Sequence, residues 1–196
     1  VALPGWEGDD ILGTVAARDE ELGYRTLLVT GDKDAYQLAS DLTKIVTTKR
    51  GITDVVIYGP EEVEERYGVT PDQFTDFLGL KGDKADNIPG VPGIGDKKAA
   101  SMRQAYGNLE GIYANLDKFK GKQLENLTNY KDDAFLSRQV ATIVRDADFE
   151  LDLESISFPN FNVEQVTEAF TDVRMMAHLA KILKLQGSEA ASIDLG

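Results

Sequence analysis

The apolar positions of this chain change texture near residue 60. Before it they form short runs: "VALP" (1–4) reads as a strand, and Ile11, Leu12, Val15, Ala16 and Leu22 recur at helical spacing from Asp9 to Leu22, where Gly23 closes the helix. "YRTLLVTG" (24–31) is a continuous apolar run and predicts a buried strand. "DAYQLASD" (34–41) predicts a short helix, and "TKIVTTK" (43–49) and "DVVIYG" (54–59) predict strands with a hairpin turn at Gly51. Strand–helix–strand order predicts an α/β fold with a partial parallel-sheet layer.

From Pro60 the pattern is helical. "PEEVEERYG" (60–68) and "PDQFTDFLG" (71–79) each open on proline and close on glycine. A Gly- and Pro-dense stretch follows, leading into a helix near Asp96, and residues 108–145 and 162–185 read as further helices. The expected division is an α/β core over 1–60, a mainly helical part over 61–186, and a small polar tail over 187–196 as linker.

Composition narrows the chemistry. The chain has no cysteine and a single histidine, His178, which excludes disulfides and thiolate metal sites and argues against a zinc centre of imidazoles. No apolar run reaches the ~18–20 residues of a membrane helix. The net charge of −13 argues at first against nucleic acid. The charge is segregated, however: residues 95–131 carry Lys97, Lys98, Arg103, Lys118, Lys120, Lys122 and Lys131 against four acids, which makes that stretch +3 and the rest −16. The start at Val1 rather than Met gives the expectation of a fragment or processed product.

Carboxylates remain as the candidate chemistry, and they come in three groups. "GWEGDD" sets Glu7, Asp9 and Asp10 within four positions; "TGDKD" places Asp32 and Asp34 directly after the apolar strand; "KGDKADN" places Asp83 and Asp86 on one turn. Residues two apart on extended backbone project to one side, and residues three apart share a helical turn, so each group can act as a clamp. Like charges about 4 Å apart repel by roughly 4 kcal/mol at an effective dielectric near 20. Cations would relieve this, and hard oxygen donors select magnesium or manganese, most often as a two-metal phosphoryl-transfer site. Other readings stay open from these residues alone: acids that cap helices, or the acid pairs of dehalogenase-like phosphatases and topoisomerase–primase domains.

"IPGVPGIGDKKAA" (88–100) is a glycine-rich turn into a basic helix start. Gly93 and Gly95 bracket Ile94, and Lys97 and Lys98 lie beside the amides of the helix start, a set suited to phosphates of a duplex backbone.

In series, "PGWEGDDILGTVA", "VTGDKDAYQL", "GLKGDKADNIPGVPGIGDKKAA" and "YGNLEGIYANL" resemble the 5′-nuclease domain of bacterial DNA polymerases of the first type, within the 5′–3′ exonuclease and flap endonuclease family. The resemblance runs in order over about residues 1–150. It implies a phosphodiesterase that uses two Mg2+ or Mn2+ ions on branched or nicked duplex DNA with a 5′ end or flap, in replication and repair in the bacterial cytoplasm. It assigns Glu7, Asp9, Asp32 and Asp34 to the ions, with Asp9, Asp32 and Asp34 acting catalytically through them, and matches Asp83 and Asp86 to the same site. Asp10 is expected in an outer shell or as a cap. Gly93, Ile94, Gly95, Lys97 and Lys98 match a helix-three-turn-helix that grips duplex DNA and often holds K+ on its carbonyls. Ala85 departs from the pattern, where a small hydroxyl residue is expected. The family's first strand, with a further metal-binding aspartate, and its basic helical arch have no match in this chain, and neither does the polymerase domain expected in cis. The chain by itself is therefore expected to be weakly active or inactive, and a non-catalytic duplex-binding module is the alternative. The strands over 1–4 and 25–31 are expected to leave an uncovered edge prone to self-association.

Overall fold

Helix α1 (Gly8–Glu21) follows the predicted periodicity, ending where Gly23 takes a φ of +77°. A computed structural model describes residues 3–50, 54–152 and 161–185 and divides the chain into two units, 1–148 and 149–196. In the first unit α1 leads to β1 (Thr26–Val29), a 3-10 turn at Asp34–Leu38, β2 (Thr43–Arg50) and β3 (Asp54–Tyr58). The sheet order is β1-β2-β3. β1 runs parallel to β2, with Thr26 opposite Thr43, while β2 and β3 are antiparallel, with Ile45 opposite Tyr58.

The parallel pairing of β1 with β2 follows the expected strand–helix–strand order, and the antiparallel pairing of β2 with β3 the expected hairpin, so the layer is mixed; Gly51, the expected turn residue, lies outside the described residues. Two expectations need correction. No strand forms at Leu3–Pro4: Pro4 has no N–H to offer, Gly5 has a φ of +88°, and the Trp6 N–H turns back to the Leu3 carbonyl at 3.2 Å. The helix expected over 34–41 is a 3-10 turn that stops at Leu38.

Helices then follow: α2 (Pro60–Tyr67), α3 (Phe74–Lys81), α4 (Asp96–Tyr106), α5 (Leu109–Ala114), α6 (Gly121–Asn129) and α7 (Lys131–Ala141). Sheet and helices share one core. Tyr36 from the 3-10 turn meets Tyr58 of β3, Tyr67 of α2 and Phe74 of α3 with ring centroids 4.8, 5.4 and 5.7 Å away, and Phe74, Phe77, Leu78 and Leu80 are buried beside them. This first unit thus takes in both the sheet and these helices. Gly79 brings α3 against α7, since a Cβ there would sit 2.9 Å from the Ala134 carbonyl.

After α7 the chain does not stay helical, contrary to the reading of 108–145. It runs back along α1. Gln37 grips it from both ends of its amide, donating to Ala141 O at 2.8 Å and accepting from the Ile143 N–H at 2.9 Å. One face of α1 completes the seam: Asp10 Oδ1 accepts the Val144 N–H, Thr14 Oγ1 accepts the Ala147 N–H, and Arg18 donates to Ala147 O. Gly13 permits the approach, because a Cβ would lie 2.6 Å from Ile143.

The second unit contains α8 (Val163–Asp172), capped by the Asn162 side chain accepting the Gln165 N–H at 3.0 Å, and α9 (Met176–Leu185). The tail expected over 187–196 lies outside the described residues. Among the described residues no helix is long and apolar enough to cross a membrane.

Candidate metal centre and nucleic-acid interface

The turn after β1 is built by its own polar side chains. Thr30 Oγ1 accepts the Asp32 N–H at 3.1 Å, and Asp32 Oδ1 accepts the Asp34 N–H at 3.0 Å. Both acids are thereby held at the carboxyl end of a parallel strand, where open α/β sheets place their sites. A second turn brings Asp83 and Asp86: Asp83 and Ile88 pair through their backbones, and Asp83 Oδ1 accepts the Ala85 N–H at 2.8 Å. The Ala85 backbone N–H thus helps to hold this turn.

Asp32, Asp34 and Asp86 converge, with one carboxylate oxygen from each lying within 4.8 Å of the others. Asp34 Oδ1 is buried and has no hydrogen-bond partner. Burial, and then the charges of Asp32, Asp86, Asp83 and Asp9, push the Asp34 carboxyl up to about 7. Asp9 is raised by burial and by Asp32, Glu7, Asp10 and Asp86; Asp86 is raised by burial, Asp32 and Asp83, with Lys33 opposing. The field at this point is strongly negative. A buried oxygen without a donor, among acids that raise one another, fits a bound cation, and the all-carboxylate donor set fits a hard one such as Mg2+ or Mn2+.

The other expected acids divide. Asp9, half-buried in the first turn of α1, and Asp83 act electrostatically on the cluster. Glu7 is exposed before α1, and its charge acts on Asp9. Since Asp9 is already helical, the two do not form a clamp on extended backbone. Asp10 is committed to backbone: Oδ2 accepts the Glu7 N–H at 3.2 Å and Oδ1 the Val144 N–H at 2.9 Å. That is a capping role with a tertiary contact added.

Between α3 and α4 the glycine-rich loop is held by close backbone approach. A Cβ on Gly90, whose φ is +57°, would lie 2.3 Å from the Gly82 nitrogen. The Val91 N–H donates to Leu80 O at 2.8 Å, and the Gly90 N–H to the buried Ser137 hydroxyl at 3.0 Å. Val91 and Ile94 are buried, so Ile94 anchors the loop from inside. Gly93, Gly95, Lys97 and Lys98 are exposed around it. Gly93 needs its φ of +79°, whereas Gly95 is extended and caps α4. Lys98 Nζ donates to Gly93 O at 3.0 Å, and Asn126 Nδ2 to Pro92 O at 2.6 Å.

Sequence reasoning missed one cluster altogether. Asp76 in α3 is 7% exposed and pairs with Arg103 of α4 (5% exposed) at 2.9 Å and with Arg138 of α7 at 3.0 Å; Arg138 also contacts Glu110 of α5 at 2.7 Å. Arg103 therefore belongs to the core and not to the basic surface. The available signal was the lone acid inside the apolar run "FTDFLGL".

Comparison with known proteins fits this geometry. Residues 1–68 match the family described as "5'-3' exonuclease, N-terminal resolvase-like domain", and residues 69–164 match "5'-3' exonuclease, C-terminal SAM fold". The chain belongs to the 5′–3′ exonuclease family. DNA polymerase I of Bacillus caldotenax is 44% identical over 92% of the chain, and that of Bacillus subtilis is 44% identical over 87%. The chain spans about a fifth of these relatives, 21% and 20% of their lengths. Among solved structures, the T5 D15 protein co-crystallised with metal ions matches 72% of this chain and 51% of its own, at 25% identity and a TM-score of 0.63. The catalytic core of Rad2 covers 87% of this chain and 63% of its own at 17% identity and a TM-score of 0.55, a likeness of fold. The small sheet followed by helices is thus the fold of this exonuclease family.

Proposed function

We propose that this chain is the metal-holding and duplex-gripping region of a metal-dependent, structure-specific 5′ nuclease. Its substrate is branched or nicked duplex DNA with a 5′ end or flap, and its parent is a DNA polymerase I acting in replication and repair. The observation that carries the reading is the convergence of Asp32, Asp34 and Asp86 around the buried, partnerless Asp34 Oδ1. The T5 D15 protein, whose crystals held metal ions, lends support by likeness.

In this reading Asp32, Asp34 and Asp86 hold Mg2+ or Mn2+, with Asp9 and Asp83 alongside to balance a second ion and Glu7 at the rim. Cations bound there supply an activated water and neutralise charge at the leaving oxygen. Asp34 must give up its proton before it can serve as a ligand, and Asp32 orients it through the 3.0 Å backbone contact. The exposed loop amides near Gly93 and Gly95, with Lys97, position the duplex through its phosphates without reading bases. A K+ ion on the carbonyls of this loop belongs to the same reading, since the Pro92 and Gly93 carbonyls, which accept hydrogen bonds from Asn126 and Lys98, each keep a second lone pair.

The test is incubation of the chain with a labelled 5′-flap duplex and Mn2+. Cleavage that disappears in Asp32→Ala supports the nuclease. A mobility shift without cleavage favours a duplex-binding module, and absence of both overturns the proposal.

A further inference from the structure

Lys81 ends α3 and Asp96 opens α4, and their side chains close the neck of the loop between the two helices. Lys81 Nζ lies 3.1 Å from Asp96 Oδ1. The loop so clasped carries Asp83 and Asp86 of the acidic turn and Gly93 and Gly95 of the glycine-rich turn. The lysine is held from a second side as well: its ammonium lies 5.5 Å from the ring centre of Phe77, one turn earlier in α3. The Lys81 side chain is 23% exposed and that of Asp96 is 62% exposed. Asp96 follows Gly95, a cap without a side chain, so a carboxylate stands in the first turn of the helix, beside the amides read above as phosphate donors.

An acid in the first turn of a helix is attracted by the same amides that attract a phosphate. Left bare, it competes for them and repels the arriving polyanion. The ion pair removes both effects, because it neutralises the carboxylate and turns Asp96 Oδ1 toward α3. An ion pair with an exposed partner contributes little to stability, so its effect on charge is the larger one. We propose that Lys81 is a positioning residue for the duplex: it holds and neutralises the Asp96 carboxylate, so that the loop amides and Lys97 meet a DNA phosphate unopposed. The proposal rests on the duplex-gripping reading above. Lys81 acts here through Asp96 and not by touching DNA, unlike Lys97, which is exposed on α4.

The test is equilibrium binding of a fluorescent 5′-flap duplex to the whole chain in Ca2+ at low salt. The proteins are the wild type, Lys97→Ala, Lys81→Met, Asp96→Asn and the double variant Lys81→Met/Asp96→Asn. Lys81→Met keeps an apolar stem over Phe77 and bares the carboxylate. It should bind about two- to fivefold more weakly, the effect of one exposed charge pair. The double variant should regain wild-type affinity, and Asp96→Asn alone should bind at least as tightly as the wild type. A merely structural pair gives the opposite pattern, because both of these variants lack the pair as well. A double variant as weak as Lys81→Met therefore overturns the proposal, and so does wild-type binding by Lys81→Met or weakened binding by Asp96→Asn. Asp96→Asn breaks the pair from its exposed side, so it decides the matter even where Lys81→Met fails to fold. The wild type and Lys97→Ala are measured first. If the wild type binds no duplex, or Lys97→Ala binds as well as the wild type, the duplex-gripping reading itself fails and this assignment falls with it.

Discussion

Asp32 Oδ1 accepts the backbone N–H of Asp34 at 3.0 Å, so one carboxylate of the cluster builds the turn that presents the next. Asn at position 32 keeps that acceptor and removes the charge, whereas Ala removes both. Asp34→Ala removes the buried oxygen that has no partner. Calorimetric titration with Mn2+ should show affinity falling at least about tenfold in Asp32→Asn and in Asp34→Ala, since even groups that only orient metal ligands are worth that much. Melting temperature should hold in Asp32→Asn and fall in Asp32→Ala. Unaltered Mn2+ binding in Asp34→Ala would remove the metal site from this turn.

The acidity of Asp34 gives the metal-free chain an unusual dependence on pH. Its carboxyl ionises near pH 4 when unfolded and is pushed up to about 7 by burial and by its acidic neighbours. The folded state therefore holds the proton more tightly, and stability falls as pH rises from about 4 to about 7, staying low above that. Asp34→Asn should flatten this dependence. Cation affinity follows the opposite course and rises through the same window, because the ligand must be deprotonated. Thermal melts with and without Mg2+ across that range check both signs; a metal-free chain that gains stability through the window would contradict the account.

The ion cluster of Asp76 carries structural weight. Removing Asp76 leaves Arg103 charged, 5% exposed and unpaired. Asp76→Ala should cost about 3–5 kcal/mol, as for other broken buried pairs. Glu110→Ala, on the exposed side of the same cluster, should cost about 0–1 kcal/mol. Urea unfolding of the two variants compares them directly, and equal costs would show that burial does not govern this network.

Gly90 sets the geometry of the loop before α4. Any side chain there must occupy space 2.3 Å from the Gly82 nitrogen and adopt a φ of +57°. Gly90→Ala should destabilise by at least about 1–3 kcal/mol and weaken duplex binding, because the loop that carries Gly93 and leads into the Lys97 end of α4 moves with it. Gly95→Ala, extended and with open space around its Cβ, should be tolerated far better. Melting and gel-shift titrations of the pair separate backbone strain from general loss of glycine.

β1 pairs with β2 alone among the described strands, and Val29 on it is 73% exposed. An open, apolar edge invites pairing with a second copy. Sedimentation at rising concentration should reveal self-association that Val29→Lys reduces. Monomeric wild type throughout would show that the edge is protected.

Much of this was legible in order along the chain. Helical spacing located α1 to within a residue or two, proline starts and glycine stops located α2, and the three acid groups were visible as motifs because like charges that close together are costly without a use. Local signals did not reach the helix after Leu38, where the chain turns in 3-10 form, or residues 142–148, whose backbone is claimed by Asp10, Thr14, Arg18 and Gln37 from far away in sequence. Asp76 escaped for the same reason: its partners lie in α4 and α7, 27 and 62 residues away.

By itself the sequence determined the residue types of the site, their grouping and the family, because hydrophobic period, turn residues and charge crowding are written in neighbouring positions. Which acids converge was decided by the tertiary structure. It set Asp86 beside Asp32 and Asp34, turned Asp10 to the backbone of Val144, and buried Arg103, because the distance between side chains on separate elements depends on how those elements pack and not on their spacing along the chain.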